Sequence, residues 1–155
     1  MTSLILAVLL AATAAFLGNR RLIFRKSRWA LVAIVPFWEE TCKAMAVWAL
    51  PDRPVLAVHL LFGLLELAYS AWRGERFLGL VGLTIHGLVG GGAAWLVGYG
   101  PQSYSLGAVT LGAALLHMLL NLAVLGLVFP TLGLPGLISN FSVDHSHVCR
   151  YNEQE

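Results

Sequence analysis

The sequence predicts an all-α, polytopic membrane protein: a bundle of about five transmembrane helices, N-terminus outside and C-terminus cytoplasmic. Three observations carry that prediction. Of the 155 residues, 58% are hydrophobic and 12% charged, against roughly 25% charged in soluble domains. Mean hydropathy is +0.76. The apolar residues gather into spans at about 3–18, 29–50, 55–72, 77–98 and 105–128, each near the roughly 17–25 helical residues that cross a bilayer.

The first span has no basic residue ahead of its apolar core, whereas Arg20, Arg21, Arg25, Lys26 and Arg28 follow it. That charge order predicts an uncleaved anchor rather than a signal peptide. Basic loops favour the cytoplasm, so 19–28 and RGER at 73–76 lie inside. PDRP at 51–54 and GYGPQSYS lie outside. Residues 129–155 form a short cytoplasmic tail. Aromatic residues mark the span edges: Trp29 and Trp72 inside, Trp48, Trp95, Tyr99 and Tyr104 outside, as interfacial belts require.

Several classes are excluded. A net charge of +2, with the basic residues spread between apolar segments, gives no nucleic-acid-binding patch. Two cysteines, Cys42 in an apolar helix and Cys149 in the tail, make no disulfide framework. The tail sequence DHSHVC offers Asp144, His145, His147 and Cys149. It lacks a second ligand cluster of matched spacing and reads as solvated tail rather than a zinc site.

The informative residues are the ionisable ones inside the spans. PFWEETCKAMAVW at 36–48 carries Glu39, Glu40 and Lys43. At 1.5 Å rise per residue, Glu39 and Glu40 lie roughly 15 Å from the inner end of the second helix. His86 lies roughly 13 Å from the inner end of the fourth. His117 is at the midpoint of the fifth, Asn121 one turn further in, and Glu66 in the inner half of the third. These side chains therefore share one thin layer across four helices. Gly79, Gly82, His86 and Gly90 share a face, where small residues let backbones approach; packing within one chain or between two copies both fit. His59 stands off the main layer and reads as a structural histidine.

A charge at a helix centre costs roughly 2.5–3.5 kcal/mol. Three in the second helix would cost on the order of 8–10 kcal/mol if unpaired. Lys43, three and four residues from the acids, can pair with either. Pro36, one turn earlier, loosens the backbone beside them. Intramembrane ionisable residues at such a cost point to a functional site.

The constellation resembles the glutamic intramembrane proteases, the superfamily of CAAX-type prenyl endopeptidases and PrsW-like proteases. EETCK at 39–43 matches the PrsW-like EExxK element, and FGLLE at 62–66 resembles its Phe-Gly pair followed by a glutamate. IHGLVGG at 85–91 supplies the isolated histidine, and HMLLN at 117–121 matches HxxxN. The PrsW-like branch is the nearer one. The CAAX branch has an arginine where this chain has Ala44 and a phenylalanine where it has Gly82. A tryptophan frequent in the last PrsW-like motif is Leu120 here.

The resemblance implies metal-free, cofactor-free hydrolysis of a peptide bond in a membrane-anchored protein or peptide. In it Glu39 is the general base for water, and Glu40 supports it or pairs with Lys43. His86 positions the water or the carbonyl, Glu66 orients a histidine or helps activate water, and His117 with Asn121 stabilises the oxyanion. The expected setting is a prokaryotic cytoplasmic membrane, with the lipid bilayer as surroundings and no nucleic-acid partner. Two other readings stay open from the residues. The same acids and histidines line the path of a small transporter or proton relay, or bind zinc or iron in a metal-dependent membrane protease.

Overall fold

The computed structural model describes residues 1–23, 30–52, 54–99, 105–124 and 126. They form α1 (Thr2–Ile23), a π-helical stretch Ala30–Ile34, α2 (Val35–Trp48), α3 (Val55–Trp72), α4 (Arg76–Tyr99) and α5 (Leu106–Ala123), with no strand among them. Arg25, Lys26, Arg28, Trp29, the loop 100–104 and the tail with its Asp144, His145, His147 and Cys149 lie outside the described residues. The chain divides into two units, Met1–Leu120 and Asn121–Glu155.

Among the described residues, three helices are long and apolar enough to cross a membrane: Thr2–Arg21, Val55–Trp72 and Arg76–Gly98; the apolar helix Gly107–Ala123 is shorter. The surface agrees with that reading. Leu10 is 64% exposed and Met45 67%, while Glu40, Lys43, His59, His86 and His117 are buried. Water-soluble proteins show the opposite distribution. Three threonine hydroxyls on these helices are satisfied locally: Thr13, Thr41 and Thr84 each donate to the carbonyl four residues back, at 2.8, 2.8 and 2.9 Å.

The observed helix ends differ from the sequence reading at two places. The first helix was expected to stop at residue 18, yet α1 continues through Asn19, Arg20 and Arg21 to Ile23. Gly18–Asn19 resembles a helix stop, but here Gly18 packs the α1–α2 seam: a Cβ there would run into the Trp38 indole. The indole Nε1 donates to the Ala14 carbonyl at 3.2 Å. Buried Ala11 and Ala15 continue the same small face, and such faces bring helices close. The second helix, expected as one span over 29–50, is divided. Its start is π-helical over Ala30–Ile34, and Pro36 sits in the first turn of α2. Proline has no N–H to give the preceding turn, and a wider i→i+5 turn accommodates the gap.

α3 and α4 form the most extensive helix pair; α1 packs on α2, and more lightly on α3. The α3–α4 hairpin turns at Gly74, φ +82°. Glu75 N–H donates to the Ser70 carbonyl at 2.8 Å and Gly74 N–H to the Ala71 carbonyl at 3.1 Å. This paired closure is a Schellman cap with glycine in its left-handed position. Gly74→Ala should lower the unfolding free energy by about 1–2 kcal/mol, the penalty for a Cβ in that conformation. Space is not at issue, since nothing lies within 4 Å of the added atom. Detergent-titrated unfolding checks it: an unchanged midpoint would show that the turn relaxes freely.

Candidate functional site

A helix advances about 100° per residue, so Glu39 and Glu40 look to different neighbours. Glu40 faces inward, 2% exposed, and becomes the hub of a polar cluster. Its Oε1 accepts from Lys43 Nζ at 2.6 Å and from His117 Nδ1 at 2.9 Å. Its Oε2 lies 2.9 Å from His59 Nε2. Glu39 turns toward α1, where Asn19 Nδ2 donates to its Oε1 at 2.6 Å.

Lys43 is wholly buried, at 0% exposure. Besides Glu40 it reaches His86 Nδ1 at 2.9 Å, and it stands 4.9 Å from the Phe62 ring centroid, a cation–π contact. An ammonium only donates, so His86 Nδ1 is the acceptor and its proton sits on Nε2. Nε2 then donates to Glu66 Oε2, 2.9 Å away. The rings of His86 and His117 meet edge to face at 5.2 Å. The result is one unbroken chain of polar contacts, Glu66–His86–Lys43–Glu40, branching to His59 and His117. Glu66 ends it with 48% of its side chain exposed.

The α3–α4 glycines let these groups approach. A Cβ at Gly63 would lie 3.1 Å from His86 Cβ, and one at Gly82 2.8 Å from Glu66 Oε2. At Gly90 it would lie 2.5 Å from His59 Cβ and 2.8 Å from its Cγ. Glycine there is a space requirement imposed by the site. Gly90→Ala should cost about 1–3 kcal/mol, as overpacking does, by driving His59 away from Glu40. An unfolding titration with wild-type stability would contradict this seating of His59.

Of the residues singled out from sequence, Glu40, Lys43, Glu66, His86 and His117 are brought together. Glu39 lies beside them on α2 but bonds to Asn19. Asn121 belongs to the second unit. Sequence reasoning left three participants out of the site. His59, on the same α3 seam as Gly63 and Glu66, was read as a structural histidine off the main layer; it does bond a neighbouring helix, and the partner is Glu40 at the centre of the cluster. Phe62, inside FGLLE, covers the ammonium. Asn19 was assigned to a loop, and its Oδ1 is buried with no hydrogen-bond partner among the described residues.

Among the described residues, the donor set that could hold a metal ion is Glu40, His86 and His117, whose ligand atoms lie within 4.8 Å of one another. Lys43 disfavours that use. Its ammonium lies within hydrogen-bonding distance of both Glu40 Oε1 and His86 Nδ1, so a fixed cation already engages two of the three donors. No family model, no curated protein and no solved structure matches this chain.

Proposed function

We propose that the protein is an intramembrane endopeptidase that hydrolyses a peptide bond of a membrane-associated protein through a glutamate-activated water. The observation that carries the reading is the convergence of Glu40, Lys43, His59, Glu66, His86 and His117 from four helices into one buried network, with Glu39 at its edge. Glu40 already receives two or three hydrogen bonds and is committed to holding the network. Glu39 accepts one, from Asn19, and among the described residues its Oε2 accepts none. It is the carboxylate free to take a proton.

In this mechanism Glu39 removes a proton from water as the oxygen adds to the scissile carbonyl. The tetrahedral intermediate collapses as that proton passes from the Glu39 carboxyl to the departing amine nitrogen. His86, oriented by Lys43 and Glu66, positions the water or the carbonyl by turning its Nε2–H from half-exposed Glu66 to the substrate. His117 donates to the oxyanion. Because His117 commits its Nδ1–H to Glu40, it donates through Nε2–H as an imidazolium, a cation matched to the charge that develops. Removing one such donor costs about 2.7–4 kcal/mol in other hydrolases.

A second reading is favoured by one observation. The unbroken chain from half-exposed Glu66 through His86 and Lys43 to Glu40 is also the layout of a proton relay in a small transporter. The test is cleavage of a panel of single-span reporter peptides by purified protein in lipid, with and without chelator. Cleavage that ignores chelator supports the hydrolase. Cleavage abolished by chelator and restored by metal would replace it with metal chemistry at Glu40, His86 and His117. No cleavage, with proton flux into proteoliposomes, would replace it with the relay.

A further inference from the structure

The Glu40–His59 contact poses a problem of proton count. His59 Nδ1 lies 2.9 Å from the Val55 carbonyl oxygen, which can only accept, so Nδ1 carries a hydrogen. A neutral imidazole then has a bare lone pair on Nε2. That lone pair faces Glu40 Oε2 at 2.9 Å, and an ionised carboxylate is also only an acceptor. Two lone pairs at hydrogen-bonding distance, both buried, repel where an unmade bond is most costly. Glu40 cannot turn to relieve this: its other oxygen is held by Lys43 and His117. His59 cannot retreat either, because Gly90 leaves no room behind its Cβ.

We infer that the resting protein holds one additional proton on the Glu40–His59 hydrogen bond, making His59 the residue that positions Glu40. Val55 is the first residue of α3, so His59 reaches back one turn to its carbonyl and fixes its own tautomer through the helix that carries it. His59 thereby fixes the carboxylate plane of Glu40, and with it the hydrogen bond that aims His117.

This inference does not rest on the hydrolase reading, and its test needs no substrate. Protein labelled with ¹⁵N-histidine and ¹³C-glutamate is reconstituted in lipid, and solid-state NMR reads the protonation of each ring nitrogen and of the Glu40 carboxyl. His59 is identified in wild-type protein by its through-space peak from Nε2 to the Glu40 carboxyl carbon. The expected result is protonated Nδ1, with one further proton on either His59 Nε2 or the Glu40 carboxyl. Glu40→Gln should then leave His59 with a bare Nε2, because the amide N–H takes the proton's place. Neutral His59 opposite an ionised Glu40 would overturn the inference, as would a bare Nδ1 facing Val55. Both are readable on the wild type even where the variant does not fold.

Discussion

Lys43→Met should lower the unfolding free energy by about 3–5 kcal/mol, the usual penalty for removing one partner of a buried ion pair. Methionine nearly matches the shape of the lysine stem, so a packing defect contributes little. What is lost is the ammonium 2.6 Å from Glu40 and 2.9 Å from His86, on a side chain with no exposed surface. Glu40 keeps its two histidine neighbours, but the one permanent cation in the hydrogen-bonded set is gone. Apolar replacement of both partners can be neutral, which gives the control: Glu40→Leu combined with Lys43→Met should recover much of the loss of either single change. Unfolding titrations on the four proteins form a double-mutant cycle. A stable Lys43→Met protein with no coupling to Glu40 would show that the pair stabilises nothing and that the site is held by helix packing alone.

Much of this arrangement was legible in the sequence because a membrane makes burial of charge conspicuous. Glu40, Lys43, Glu66, His86 and His117 were each visible as ionisable groups within apolar runs, and helical spacing placed them on facing sides. The α3 bounds were readable to the residue, since Pro54 and Arg73–Gly74 punctuate both ends. What could not be read was the division of labour. Adjacent acids differ by about 100° in direction, and which one faces α3, α4 and α5 depends on helix rotation. The π-helical stretch before Pro36 is among the features that set that rotation, and it leaves only proline as a trace in the sequence. His59 bonds a neighbouring helix, as a structural histidine should, but its place in the layer was hidden because depth was counted to the backbone, whereas long side chains on neighbouring helices meet across a turn or more. Asn19 was missed because Gly18 reads as a stop until Trp38 is seen to require the space.

Glu39→Gln and Glu40→Gln should fail in opposite ways, and that contrast tests the assignment of roles most directly. At Glu39 the change is close to silent structurally. The side chain is half-buried and its one hydrogen-bond partner among the described residues, Asn19 Nδ2, can donate to an amide oxygen as well as to a carboxylate. Stability should move by less than about 1 kcal/mol, while reporter cleavage falls by about 10²–10⁴-fold, the range general-base catalysis contributes. At Glu40 the same substitution replaces one acceptor oxygen with an N–H donor. The amide oxygen can still accept from Lys43 and His117 and its N–H can donate to a neutral His59, but the ammonium loses its counter-charge in a buried site. There the unfolding free energy should fall by about 3–5 kcal/mol, with activity lost alongside it. The two readouts, unfolding in detergent and peptide cleavage in lipid, therefore cross between neighbouring residues. A Glu39→Gln protein that still cleaves at the wild-type rate removes it as the base. Glu40→Gln protein that stays stable yet inert would instead make Glu40 the proton acceptor, and Glu39 a partner for α1.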